Sequence, residues 1–287
     1  MIKVSQYGDV LRLDLARTIM GQGRYWTTAY YVDGFLVDTG CAYTAGELEE
    51  VLADKELHGI INTHSHEDHI GGNGPLQRRH TGLGIYAHPE ALPVLEDPKG
   101  LQPLHFYRRL FWGWPEPSRA ESISNNAEIN TKHFTFRALY TPGHSSDHLC
   151  LYEPEQGWIF TGDLFVGGRD RALREDYNIW EIIASLRSIS ELELTRLFPG
   201  CAQVRDEPLK AIKKKLSYLE DLGGQVTELH KRGWKPSSIA RELLGKPMWV
   251  EIVTMGHFSR RQLVLSFLHT KSNEGSNRLK AEDHHLR

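Results

Sequence analysis

A chain of 287 residues, 40% hydrophobic and 25% charged, can bury a full α/β core and still carry a smaller appendage. Its formal net charge of -3 provides no electrostatic footprint for a nucleic acid partner, which rewards basic surface. No apolar stretch approaches the roughly 20 residues that a bilayer-spanning helix needs, and three cysteines without paired spacing, Cys41, Cys150 and Cys201, point to a reducing, cytoplasmic home.

Taken in chain order, the N-terminus alternates apolar and polar residues from Val10 to Leu15 and reads as strand, with no charged leader ahead of an apolar run. Strands at about 8–15, 25–33 and 35–38 open a mixed sheet, and Glu47 to Asp54 forms a short helix. The run His58-Gly-Ile-Ile-Asn62 has the pattern of a short buried strand. It leads directly into Thr63-His-Ser-His-Glu-Asp-His69, which places the metal-competent side chains of His64, His66, Asp68 and His69 within one loop. Imidazoles and a carboxylate crowded at a strand end are a common way to seat one or two transition metals. Strands near 85–87, 133–140, 149–153, 158–161 and 195–198 complete a second sheet, with a helix near 177–190 between the last two. Two of these strands end on further candidate ligands, in Thr141-Pro-Gly-His144 and in Thr161-Gly-Asp163. An aspartate can bridge two metals about 3.5–4 Å apart, the separation at which they share a nucleophile. Two sheets, each burying one face against the other and one against helices, form a layered sandwich.

Two segments have substrate character. Leu101 to Pro117 holds Phe106, Tyr107, Phe111, Trp112 and Trp114; it is either a wall over the metal edge or a satellite hydrophobic cluster. As a wall, Phe111, Trp112 and Trp114 imply a small-molecule substrate with an apolar part. Gly167-Gly-Arg169 and Arg171 offer guanidinium groups to a carboxylate or phosphate. From Asp206 the pattern is helical: Leu209, Ile212, Leu216 and Leu219 share one helix face as far as a break at Gly223-Gly224, and Lys213-Lys-Lys215 reads as a solvated face. Further helices open at Lys235-Pro236 and run from Ser259 to Leu268. Lacking a basic recognition face, this appendage suits a lid or an oligomer contact such as a homodimer interface. The division expected is a catalytic domain at 1–205, a helical extension at 206–270 and a polar tail at 271–287.

In combination these motifs resemble the metallo-β-lactamase superfamily. The resemblance runs from Thr28-Ala-Tyr-Tyr-Val-Asp-Gly-Phe-Leu-Val-Asp38-Thr-Gly40 through the heptad at 63–69, Thr141-Pro-Gly-His144 and Thr161-Gly-Asp163 to Leu197-Phe-Pro-Gly200. It implies a four-layer αββα sandwich with a small helical C-terminal appendage and metals at one edge. By the same resemblance His64, His66 and His144 hold a first metal, Asp68 and His69 a second, and Asp163 bridges them. Asp38 matches the family's buried aspartate, which orients the metal loop. One or two zinc ions are implied, with iron or manganese as alternatives. The chain departs from the family at Cys201, where a histidine usually completes the second site. Three readings stay open: Cys201 is a thiolate ligand, the second site is weak, or His257 reaches in from the C-terminal segment.

The resemblance also implies the reaction. A metal lowers the pKa of bound water from 15.7 toward about 7, and the resulting hydroxide attacks an ester, thioester or lactone carbonyl, with Asp68 orienting the nucleophile or passing a proton. His144-Ser-Ser-Asp-His148 and the helix carrying Tyr177 are similar to the glyoxalase-II-like and lactamase-like-protein branch. Two alternatives accompany this reading. One is a mononuclear iron persulfide dioxygenase using residues matching His64, His144 and Asp163. The other is a phosphodiesterase or ribonuclease, which the acidic balance disfavours. No Gly-x-Ser-x-Gly elbow is present, so a serine acyl-enzyme is not indicated.

Overall fold

The structure, a computed structural model, describes residues 1–102 and 105–269; the polar tail expected at 271–287 lies outside the described residues. Strands β1 (Ile2–Tyr7), β2 (Val10–Ile19), β3 (Gln22–Val32) and β4 (Phe35–Val37) are followed by helix α1 (Ala45–Val51) and strand β5 (Gly59–Ile61). Next come α2 (Asn73–Arg79), β6 (Gly84–Ala87), α3 (Leu92–Glu96), α4 (Pro98–Leu101), α5 (Phe106–Phe111) and β7 (Glu121–Ser122). The second half continues with β8 (Glu128–Asn130), β9 (Thr135–Tyr140), β10 (Leu149–Glu153), β11 (Trp158–Gly162), β12 (Leu173–Arg174), α6 (Ile179–Ser190) and β13 (Arg196–Pro199). It closes with α7 (Pro208–Lys231), α8 (Pro236–Leu244), α9 (Trp249–Val253), β14 (Phe258–Ser259) and α10 (Arg260–Leu268).

Seven strands in the order β1-β2-β3-β4-β5-β6-β7 form one sheet, and β13-β11-β10-β9-β8 form the other. Side-chain alternation explains why the sheets face each other. Val37 and Ile61 of the first sheet meet Phe136, Leu151, Phe160 and Phe198 of the second in a core between the sheets. Their neighbours Leu36 and Ile60 point the opposite way, onto Leu48, Leu52, Leu76 and Leu95. On the far side of the second sheet, Cys150, Ile159 and Leu197 pack under Ile183, Leu186, Ile212 and Leu219. The result is the expected αββα order of layers. Each of these buried apolar side chains contributes roughly 1.5–3 kcal/mol relative to exposure.

The C-terminal helices continue this last core. Val226, Ile239, Leu244, Leu263 and Phe267 belong to the same buried cluster as the α6 face, and β14 pairs antiparallel with β12. Among the described residues no helix is long and apolar enough to cross a membrane.

Three local expectations change. The strand near 85–87 belongs to the first sheet, where β6 pairs parallel with β5; a βαβ crossover through α2 returns it beside the strand it left. Helix α7 runs unbroken through Gly223-Gly224. A Cβ at Gly223 would lie 2.9 Å from the Phe267 ring, so the glycine lets α10 approach closely, and packing outweighs the helix cost of about 1 kcal/mol. Lys215 is not solvated: its side chain is 1% exposed and its ammonium lies 2.8 Å from Asp170.

The parallel strands place the chemistry. β4 and β5 are parallel, β11 and β13 are parallel, and β9 is antiparallel to β10, which is antiparallel to β11. The residues following β4, β5, β9, β11 and β13 therefore emerge at one edge. Those residues include Asp38, the 63–69 heptad, His144, Asp163 and Cys201.

Candidate metal centre

Three imidazoles converge at this edge. His64 Nε2 lies 2.9 Å from His66 Nδ1, and His144 Nε2 lies 3.0 Å from the same nitrogen. Two nitrogens bound to one tetrahedral ion, each about 2.0–2.1 Å from it, sit about 3.3 Å apart, close to what is found. Burial, followed by neighbouring positive groups, holds His64 and His66 well below the usual imidazole range. Burial does the same to His144, with Asp163 opposing it. All three are neutral and have lone pairs to offer.

A second donor set adjoins the first. His69 Nε2 is 3.6 Å from Asp163 Oδ1 and 3.8 Å from Asp68 Oδ2, while Asp163 Oδ2 is 3.6 Å from His144 Nε2. The two oxygens of Asp163 thus face different sets, one way in which a carboxylate can be shared between two adjoining sites. His69 Nε2 and Asp163 Oδ1 are buried without a hydrogen-bond partner among the described residues. Burial opposes a charge on His69, but the carboxylates of Asp38, Asp163 and Asp68 outweigh it and hold the imidazole protonated. Burial, partly offset by His69, pushes the Asp68 carboxyl up, and His69 and His144 hold Asp163 below the usual carboxylate range despite its burial. The orphaned atoms and the donor chemistry of this set fit a divalent metal, which would take the place of the His69 Nε2 proton.

Asp38 organises both sets from beneath. It accepts from the Thr63 amide at 2.8 Å, from Thr63 Oγ1 at 2.8 Å and from His69 Nδ1 at 2.7 Å. Thr63 Oγ1 commits its proton to Asp38, so at 3.0 Å it accepts from His64 Nδ1. Both histidines are thereby fixed with a proton on Nδ1; His64 has Nε2 free toward the centre, and His69 points there the Nε2 whose proton a metal would displace. Asp38 has φ 62, a left-handed conformation that aspartate and asparagine tolerate better than most residues. Gly200 completes the floor: a Cβ there would stand 2.7 Å from Asp163 Oδ1 and 2.9 Å from the His69 ring.

Cys201, next in the chain, keeps an exposed face that opens on the site cavities. Burial of its thiol and then the Asp163 charge push the thiol pKa up. It and Asp68 border the centre without joining either close-set trio, His64–His66–His144 or His64–His69–Asp163. His257 stands outside: its Nδ1 is 2.8 Å from Tyr107 Oη, and its ring stacks on His105 at 4.0 Å.

A cavity of about 350 Å³ opens over Asp68, Asp163 and His66, walled by Tyr25, Phe111 and Trp112. Phe111 and Trp112 are where the aromatic segment was expected to place them. Trp114 does not line this cavity; the Arg109 guanidinium lies 4.6 Å over its ring instead. Arg169 lines the neighbouring cavity, which also touches His144 and Asp163.

Four residues of the site went unread in the sequence. Glu67, inside the heptad, forms a buried ion pair with Arg108 of α5, anchoring the aromatic wall to the metal loop. Arg174 donates to His66 Nε2 at 3.0 Å and pairs with Asp176. Tyr177 lies 4.3 Å from His144, ring to ring, and its phenol stays protonated because burial raises its pKa. Glu67 had a sequence signal, as an acid within the ligand loop, and Tyr177 entered only as part of the resemblance, without a role at the site. The Arg174 contact requires the His66 proton on Nδ1. A metal taking that lone pair would leave the proton on Nε2, opposite the Arg174 N–H, so Arg174 would turn toward Asp176.

The metallo-beta-lactamase superfamily profile matches residues 27–201. A beta-lactamase-like protein 2 homolog of Drosophila melanogaster is 27% identical over 203 residues, covering 67% of this chain and 63% of that protein. An atrochrysone carboxyl ACP thioesterase of Aspergillus fumigatus is 31% identical over 199 residues, covering 67% and 38%. A hydroxyacylglutathione hydrolase of Legionella pneumophila is 31% identical over 137 residues, covering 47% and 44%. The chain thus spans less than two thirds of the length of each relative. Among solved structures, a metallo-beta-lactamase family protein from Thermus thermophilus superposes with a TM-score of 0.64 at 18% identity, covering 91% of both chains. The match over residues 27–201, on this sandwich and with these motifs at its edge, shows that the chain belongs to the metallo-beta-lactamase superfamily.

Proposed function

We propose that the chain is a metal-dependent hydrolase of carboxylic thioesters or esters with an apolar acyl group. The observation that carries this reading is Asp163: its two oxygens divide between adjoining donor sets at the floor of an aromatic-walled cavity. Relatives named as thioesterases and as a hydroxyacylglutathione hydrolase support it.

His64, His66 and His144 would hold one ion, and Asp68, His69 and Asp163 a second, with Asp163 common to both and Cys201 at the second set's open side. Such ions, zinc or manganese, supply a hydroxide nucleophile at neutral pH and polarise the carbonyl oxygen. The residues do the rest. Phe111 and Trp112 bind the acyl group and exclude water from it. Tyr177, kept protonated, offers an O–H to the oxygen on which negative charge develops. Asp68 takes up a proton as the tetrahedral centre forms and returns it to the departing thiolate or alkoxide. Asp38 keeps His64 and His69 in the tautomer this arrangement needs.

The test is thiol release from a panel of acyl thioesters by zinc- or manganese-loaded protein, beside His66→Ala and Asp163→Ala. Turnover that rises with acyl length and falls about a hundredfold or more in both variants is expected. The reading is overturned if no thioester or ester is cleaved while iron-loaded protein consumes oxygen with a persulfide, or while single-stranded RNA is cut.

A further inference from the structure

The cavity over the candidate centre continues past it. A second cavity, of about 440 Å³, shares Asp163, Tyr177, Cys201, Val250 and Phe258 with the first, so the two meet above Asp163. Arg169, which lines the second, also lines a third hollow of about 350 Å³ with Arg205 and Lys214 over Phe165 and Ala211. Among the described residues no carboxylate lines that hollow.

Among the described residues these cations have no neutralising acid. The acids nearest in sequence are committed elsewhere: Asp170 to Lys215 at 2.8 Å, Asp206 to Arg196 at 2.7 Å and Glu207 to Lys210 at 2.8 Å. Arg169 has only the Tyr218 ring, 5.6 Å away, and Arg205 and Lys214 have no side-chain ion pair or hydrogen bond among the described residues. In a chain of net charge -3, three like charges around an apolar-floored hollow repel one another until an anion joins them. Two guanidinium forks and an ammonium match the oxygens of a phosphate. The cations surround one confined hollow and do not form a track, so they suit a single phosphate group better than a nucleic acid backbone, whose successive charges need a long groove.

Asp163 and Tyr177 link the aromatic-walled cavity to the second cavity, and Arg169 borders both the second cavity and the cationic hollow. We propose that Arg169, Arg205 and Lys214 bind the phosphate of a phosphate-bearing thiol carrier, so that the substrate is the thioester of such a thiol, free in solution or borne on a carrier protein. This rests on the hydrolase reading above and specifies its leaving group. The acyl group occupies the aromatic cavity, the carbonyl lies by Asp163, and the thiol arm extends through the second cavity.

The test uses metal-loaded protein and a charge-reversed variant, Arg205→Glu/Lys214→Glu, with folding checked by circular dichroism. Coenzyme A binding is measured by calorimetry. Hydrolysis is measured on octanoyl-coenzyme A, on the same acyl group carried by N-acetylcysteamine, which has no phosphate, and on an octanoyl carrier protein. Charge reversal is expected to weaken coenzyme A binding about tenfold or more. It should also lower, by a similar factor, the ratio of kcat/KM for octanoyl-coenzyme A to that for the N-acetylcysteamine thioester. A higher kcat/KM on the carrier protein, equally sensitive to charge reversal, identifies the protein-borne arm; a higher value on octanoyl-coenzyme A identifies the free one. Equal coenzyme A binding by both proteins, or an unchanged kcat/KM ratio, overturns the proposal. Charge-dependent coenzyme A binding without cleavage of any thioester upholds the phosphate site and removes the hydrolase reading instead. Tighter, charge-dependent binding of a single-stranded oligonucleotide than of coenzyme A also overturns the proposal.

Discussion

Replacing Asp38 with asparagine tests the tautomer argument with little change of shape. Asparagine tolerates the φ of 62 that this position adopts, so the backbone is not strained. The negative charge is lost, and one carboxylate oxygen becomes an amide that donates. Asp38 accepts three hydrogen bonds, from the Thr63 amide, Thr63 Oγ1 and His69 Nδ1. Whichever way the amide turns, at least one buried donor faces another donor. Such a loss costs about 1–3 kcal/mol, to be read from urea unfolding of metal-free protein. The larger consequence is chemical. His69, freed from its acceptor, can place its proton on Nε2, and His64 loses the Thr63 orientation that directs its own Nε2 inward. Supporting residues of this kind change metal affinity by about 10–100-fold, equivalent to roughly 1.4–2.7 kcal/mol. Competition with a chromophoric chelator measures this directly. Metal affinity within about twofold of the parent, with stability reduced as expected, would refute the tautomer role and leave Asp38 a purely structural acceptor.

Three further outcomes follow from the geometry. Cys201→Ala should lower metal content by elemental analysis from about two ions per chain to about one; unchanged content would remove sulfur from the ligand set. Lys215→Ala strips Asp170 of its buried partner and should cost about 3–5 kcal/mol in urea unfolding, with Lys215→Met/Asp170→Asn recovering much of it; a loss under about 1 kcal/mol would mean that solvent already screens the pair. Metal-free protein should lose stability as pH falls below about 6.5. Burial holds His148 neutral down to about pH 3, whereas an unfolded histidine protonates near 6.5, so the unfolded chain binds more protons across that window. His148 alone then contributes a slope of up to about 1.4 kcal/mol per pH unit. His64, His66 and His144 act in the same sense. Asp68, pushed up by burial, opposes them as a single group, and so does His69, held protonated in the fold, until the unfolded histidine is itself protonated about one pH unit below 6.5; the four neutral histidines outnumber these two. Unfolding free energies that stay flat between pH 7 and 5 would refute the neutral cluster.

Much of the site was legible because its residues occupy strand ends, and strands announce themselves by period-two alternation. The heptad after Ile61, His144 after β9 and Asp163 after β11 could be located that way, and parallel strands bring such ends to one edge. The resemblance added the division into two donor sets and the role of Asp38. Residues recruited across the chain were another matter. Arg174 reaches His66 from 108 positions away, and Arg108 reaches Glu67 from 41. Neither contact leaves a local pattern, since both arginines are buried by elements that meet the metal loop only in the folded chain. Trp114 shows the opposite failure: its local aromatic context suggested the cavity, yet Arg109 holds its ring elsewhere.

The sequence by itself determined the layered α/β architecture, the metal-competent loop and the edge where it lies, because periodicity and ligand spacing are local properties of the chain. Only the tertiary structure decided which sheet β6 joins, that α7 passes through two glycines to meet Phe267, that Lys215 is buried against Asp170, and that Arg169, Arg205 and Lys214 share one hollow. Each of those depends on a contact between segments distant in sequence, where close packing and charge pairing outweigh local preference.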